Sequence, residues 1–203
     1  MKEAISSGLE ALYTRLILRD LAGKMAPGAL MLVAARAALT SPGEAIRGWD
    51  TVPIAGWIML LGVAWLTGLA VQGLGEFSAH IPGVPVRYFP RRLTPDAWHT
   101  LIVDFDRVAT VDDKQRFERY TVIKEATGNA SLALVLSLVL LLSVHGDSLW
   151  PLPLYAVLGG LAALGLGKLH HENAERGVAH AEHVVGEAKK QGASARRRRP
   201  TPR

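Results

Sequence analysis

The chain has 203 residues, a formal net charge of +5 and no cysteine, which excludes disulfides, thiolate metal centres and cysteine nucleophiles. The hydrophobic fraction of 49% is compatible with a soluble domain, but the apolar residues gather in charge-free blocks and the charges gather between them. A bilayer demands that arrangement and a water-soluble core does not, so the expected fold class is all-α: a polytopic membrane protein with four transmembrane helices and a cytoplasmic helical hairpin between spans two and three.

Residues 1–24 read as an amphipathic cytoplasmic helix, because Ile5, Leu9, Leu12, Tyr13, Leu16 and Ile17 recur at spacings of three and four. Such a stripe suits either the inner leaflet or the cytoplasmic hairpin. Residues 25–75 hold spans one and two. The first, 25–39, carries Arg36 and follows Lys24, so it spans only if these two side chains reach toward opposite interfaces. A cleaved signal peptide is the rival reading, with Ala35-Arg36-Ala37 imitating a cleavage site, but Glu3, Glu10 and Asp20 in a long leader speak against it. The second span, 51–75, has no charge at all. Its 25 residues exceed the roughly 20 that cross a hydrocarbon core, and Ala64 and Gly68 form a small-xxx-small step on it.

Residues 76–125 are the one sizeable polar segment, expected as the cytoplasmic hairpin. Pro82, Pro85, Pro90 and Pro95 predict an irregular first part. Thr94 predicts an N-cap with Pro95 and Asp96 in the first turn. Trp98, Leu101, Ile102, Phe105 and Val108 form one apolar face. Asp112 or Asp113 is expected to cap a second helix that runs unbroken into span three. Basic and acidic residues here nearly cancel, which argues against a nucleic-acid surface.

Residues 126–167 hold spans three and four, separated only by Gly146, Asp147 and Ser148, so they form an antiparallel pair. Pro151 and Pro153 fall in the first turn of span four, where a missing N–H costs least. Gly159, Ala163 and Gly167 are a second small-residue series, suited to internal packing or to an oligomer. Residues 168–203 predict a cytoplasmic extension of the last helix to about Gln191, then a disordered basic end containing Arg196 to Arg199.

Sidedness follows from the cations. Of the 23 lysines and arginines, all but Arg36 in the first span and Arg47 in the first outer loop lie in the N-terminal segment, the 76–125 loop or the tail. Loops rich in Lys and Arg stay cytoplasmic, so both termini are expected in the cytoplasm and the protein in a bacterial inner membrane. Trp49 and Trp150 then fall at the outer headgroup level.

Chemistry is less legible. Arg91, Arg92, Arg119, Glu125, Asn129, His170 and His171 are candidate ligand-binding residues where the third and fourth spans meet the cytoplasm. Asn129, inside an apolar block, is expected to make an interhelix clasp, with Gln72 or Glu76 at matching depth on span two. His171 with Glu175 and His180 with His183 have metal-ligand spacing, but the two pairs lie about 13 Å apart along one helix, so no metal and no cofactor are expected. Glu172 and Arg176 form a favourable pair on that helix. Charges near span ends only argue against an ion-coupled transporter, and no nucleotide-binding, protease or phosphatase signature is present. The expected function is self-association or binding of a cytoplasmic protein partner, with a pore-forming or membrane-disrupting effector as one form. The alternative is a small membrane-embedded enzyme acting on a lipid or polar headgroup at the inner leaflet. Expected partners are membrane lipid, a second copy of the chain or a cytoplasmic protein, and not nucleic acid.

Overall fold

A computed structural model describes residues 14–40, 42–45, 47–49, 51–78, 94–145 and 152–197. Of these, 93% are helical, and no strand occurs among them. In chain order the elements are α1 (Thr14–Met25, a π-helical segment), α2 (Ala26–Leu39), α3 (Pro42–Ala45), α4 (Ile54–Ser78), α5 (Pro95–Val108), α6 (Val111–His145) and α7 (Leu152–Arg197). The expected helix before residue 14, the cations Arg91 and Arg92, and Trp150 lie outside the described residues.

Two long helices organise everything else. α6 has 35 residues and α7 has 46, so at 1.5 Å per residue they run about 52 Å and 69 Å. They lie antiparallel in one continuous register. Gly159 meets Leu138, Ser131 bonds to the Ala163 carbonyl, Gly128 faces His170, and Gly177 meets Phe117 and Tyr120. Each contact pairs positions whose numbers sum to nearly the same value, as a straight antiparallel pair requires. α2 inserts between α4 and α6, α1 touches the same two helices, and α4 also reaches α6. The substantial contacts of α7 are with α6 and α5 alone.

The molecule therefore has two ends of opposite character. At one end lie α2, α4, the second half of α6 and the first half of α7, which bear the apolar blocks. α4 and α6 each carry a stretch long and apolar enough to cross a membrane. A core helix of a soluble protein buries most of such a stretch. Here only 17% of the α4 window and 28% of the α6 window is buried. Large apolar side chains point outward instead, including Ile58, Leu66, Val139 and Leu161, and Leu164 is 72% exposed. The polar groups lie inside: Asn129 is fully buried, and Ser131 and Ser137 are buried with it.

At the other end the polarity is ordinary. Phe105 of α5 is buried with Ala181 and Val185 of α7, and Leu101, Phe117 and Val184 close around them. Phe105 and Phe117 have ring centroids 5.1 Å apart, and Trp98 stacks on Phe117 at 6.2 Å. The two helices expected in 76–125 exist, as α5 and the first half of α6. The backbone of α5, however, lies mainly against α7 rather than α6. The physical reason is that α7 extends as far as α6 does and offers Val178, Ala181 and Val185 on its inward face, which the Phe105 side of α5 covers. Lys189 of α7 also bonds to Asp104 of α5 at 3.1 Å.

Helix starts follow local chemistry. Thr94 caps α5 as expected, its hydroxyl accepting from the Ala97 amide, with Pro95 at the first helical position. The cap of α6 differs from expectation, since Thr110 rather than Asp112 or Asp113 is the cap. The Thr110 hydroxyl accepts from the Asp113 amide, and the Asp113 carboxylate accepts from both the Thr110 hydroxyl and amide. This is a reciprocal capping box, with the acid three residues after the cap. α7 likewise runs to Arg197, beyond the expected helix end at Gln191. Ala193, Ala195 and the arginines are strong helix formers, and Pro200 is the first residue that bars the helix.

Candidate functional site

The boundary between the two ends is where the chain places its unusual chemistry. It begins with Pro27, which is fully buried at the junction of α1 and α2. Proline has no N–H, so the carbonyl four residues earlier, that of Gly23, lacks its α-helical donor. Asn129 of α6 supplies one, its Nδ2 donating to the Gly23 oxygen at 2.7 Å. In an apolar surrounding an unmet carbonyl costs several kcal/mol, so a side-chain amide on the neighbouring helix is the natural remedy. The interhelix bond expected of Asn129 is thus made toward α1, in addition to its place at the depth of span two.

One turn toward the charged end, Arg19 Nε of α1 lies 3.5 Å from Glu125 Oε2 of α6. Lys24 Nζ bonds to Asp20 at 2.7 Å and sits 5.7 Å from the centroid of the Trp65 ring of α4. At the opposite end of the same segment, Arg36 donates to the Arg47 carbonyl at 2.8 Å and stacks over Trp49 at 4.8 Å. Lys24 and Arg36 therefore reach away from each other along the helix, as required for an apolar stretch held between two polar surfaces.

His170 of α7 is buried, and its Nδ1 lies 2.8 Å from the Lys124 carbonyl. A carbonyl only accepts, so Nδ1 carries the proton. Gly128 makes this approach feasible, because a Cβ there would fall 2.6 Å from His170 Nδ1. His145 makes the equivalent bond at the far end, donating from Nε2 to the Ala37 carbonyl at 2.9 Å. His180, in the charged end, lies 3.2 Å from the Asp113 carbonyl and meets Phe105 and Tyr120 edge-on. The Thr110 hydroxyl and amide hold the Asp113 carboxyl below its ordinary range, with smaller contributions from His180 and Arg116.

The candidate residues thus separate. Glu125, Asn129 and His170 come together around the α1–α6–α7 junction. His171 and Arg119 are exposed, and Arg91 and Arg92 lie outside the described residues. His180 is turned inward while His183 is exposed, so the metal-spaced pair points two ways. Among the described residues no three His, Asp or Glu side chains are grouped to hold an ion. Glu172 pairs with Arg176 at 3.7 Å on the surface, where such a contact contributes little.

The small residues all lie at internal crossings. Gly68 faces the Lys24 backbone, and Gly28 faces Ala64 and Gly68; a Cβ at either glycine would overlap backbone atoms of the other helix. Ala64 and Ala163 are buried, Gly159 lies against Leu138, and Gly167 lies 3.6 Å from Ser131 Oγ as measured from a Cβ built on it. Residue patterns alone missed Pro27, Gly28, Arg19 and Gly128. Pro27-Gly28 inside an apolar helix was the available signal, since it frees a carbonyl and opens a close approach in two successive residues.

Arg19, Lys24, Leu69, Gln72 and Gly73 line an open pocket of about 240 Å³ between α1 and α4 at this boundary. A second, wholly apolar recess of about 200 Å³ lies between α2 and α4, lined by Trp49, Trp57, Leu60 and Ala64 among others. Comparison with protein-family models, with curated proteins and with solved structures finds no match to this chain.

Proposed function

We propose that the chain is an integral bacterial inner-membrane protein that crosses the bilayer four times, with both termini and the 76–125 segment in the cytoplasm. It acts without catalysing a reaction, through self-association in the membrane and through its cytoplasmic helices. The inversion of polarity carries this reading: outward leucines and valines at one end, with buried Asn129, Ser131 and Ser137 beneath them. Lipid tails satisfy that surface and water does not. The confinement of nearly all cations to three segments supports the sidedness.

Self-association is supported by α7. Its apolar half rests on α6 alone and leaves Val157, Leu158, Leu161 and Leu164 uncovered. The cytoplasmic unit of α5, α6 and α7 offers a rigid, mixed-charge surface to a protein partner. The alternative, an enzyme working on headgroups at the inner leaflet, draws on the gathering of Glu125, Asn129 and His170. It is the weaker reading, because Asn129 and His170 both bond to helix carbonyls in a structural manner.

The absence of native cysteine makes the test direct. Single cysteines at Arg47 and Gln115 are treated with a membrane-impermeant maleimide. Arg47→Cys reacts in intact spheroplasts and Gln115→Cys only after lysis. The reverse pattern, or release of the intact chain by alkaline carbonate, overturns the placement. Leu161→Cys forms a disulfide-linked dimer on oxidation and overexpression raises membrane permeability. A monomer whose expression leaves permeability unchanged, but whose activity on a lipid is lost in Glu125→Gln, overturns the non-enzymatic reading.

A further inference from the structure

We infer that the pocket between α1 and α4 binds a phosphoester anion, and that in the membrane this anion is the phosphate of an inner-leaflet lipid headgroup. The inference rests on the membrane placement proposed above, which sets the pocket at headgroup level.

The lining is built for an anion at the edge of an apolar surface. Its polar contributors are two cations, Arg19 and Lys24, and the amide of Gln72. Leu69 supplies an apolar wall, and Gly73 leaves the floor open. Nothing lies within 4 Å of a Cβ placed at Gly73. The volume of about 240 Å³ accommodates a phosphate with the first atoms of its ester arms. Both cations are held in place from behind. Glu125 engages Arg19 through Nε, which leaves the two terminal NH2 groups of the guanidinium for a second, forked contact. Asp20 holds Lys24, whose three donors exceed what one carboxylate takes. The Lys24 side chain is only 17% exposed and Arg19 is 44% exposed. An anion there would meet one partly desolvated cation and one pointing to water. Depth agrees as well. Gly68 of α4 lies beside the Lys24 backbone, so Gln72 and Gly73 sit one turn further toward the end of the charge-free 51–75 stretch, and Trp65 beneath Lys24 belongs at such an interface.

The test uses the full chain in detergent, with dioleoyl phosphatidylglycerol and soluble glycerol phosphate as probes, read by native mass spectrometry. The wild type retains phosphatidylglycerol. Arg19→Gln with Lys24→Gln weakens binding about tenfold or more, the loss expected when one charge-assisted contact disappears. Because that double change leaves Asp20 and Glu125 without their cations, a second variant is needed. Gly73→Leu fills the pocket without altering charge, and leucine suits a helix better than glycine. It reduces retention equally, whereas Gly62→Leu on the same helix, with open space but outside the pocket, binds as the wild type. Displacement of the lipid by millimolar glycerol phosphate identifies a soluble phosphoester as the natural occupant. Retention only of the lipid identifies the headgroup. Wild-type binding of both probes by Gly73→Leu, or no binding by the wild type, overturns the site. Carbonate extraction of the same variants separates the two claims: unaltered binding with membrane retention overturns the pocket alone, and release overturns the placement.

Discussion

The two ends of this molecule are built from the same two helices and obey opposite rules. In the charged end, α6 and α7 bury Val122, Val178, Ala181 and Val185 and turn Lys, Arg and Glu outward. In the apolar end, the same helices bury Ser131, Ala133, Ser137 and Ala163 and turn Val135, Val139, Leu158 and Leu164 outward. The change occurs near Lys124 on α6 and Lys168 on α7, which the antiparallel register brings to one level. Packing in the charged end is driven by removing apolar area from water. In the apolar end that force is absent if lipid surrounds it, and cohesion comes from close backbone approach and interhelix hydrogen bonds.

The strongest way to break this comparison is at a close crossing. Gly68→Leu should prevent recovery of folded protein, because a Cβ at Gly68 already overlaps the Lys24 backbone. Size-exclusion chromatography after detergent extraction reads this directly. A well-behaved Gly68→Leu would mean that α1 and α4 do not approach as described. Phe105→Ala should cost about 3–5 kcal/mol within the charged end, as for other buried aromatic truncations. Hydrogen exchange should then rise across 95–108 while 126–145 stays protected. Uniform loss of protection would join the two ends into one cooperative unit.

Asn129→Ala should cost about 1–2 kcal/mol, the worth of an interhelix polar contact in an apolar setting. In a Pro27→Ala background, where residue 27 regains its N–H, the same change should cost less, and thermal melts of the four-member cycle measure the coupling. Equal costs in both backgrounds would remove the link between the proline and the amide. The smallest effect concerns acid. Asp113 has its pKa lowered on folding, chiefly by the Thr110 hydroxyl. Its contribution is therefore present above the ordinary carboxylate value of 3.8 and is lost as pH falls through the lower folded value. Thr110→Val should remove a cap worth about 1 kcal/mol and flatten the pH dependence of the charged end below about pH 4. The apolar end should not respond.

Much of the fold was readable before any coordinates. The charge-free 51–75 stretch became α4, the 95–108 helix began at Thr94 as its residues indicate, and the 111–145 helix ran unbroken from the polar segment into the apolar block. The candidate site was readable only in fragments. Asn129 stands out in any apolar run, but nothing near it in sequence names Gly23, which lies 106 residues away. His170 and His171 are indistinguishable by pattern, yet one is buried against the Lys124 carbonyl and the other faces out.

Helix positions, lengths and the split between apolar and charged ends were thus set by the sequence alone, because hydropathy and capping are sums over neighbouring residues. Only the tertiary structure decided that α5 rests on α7, that Asn129 answers the carbonyl freed by Pro27, and that Gly28 and Gly68 are crossing points. Those outcomes depend on the register between helices, a long-range geometric quantity that no contiguous stretch of the chain encodes.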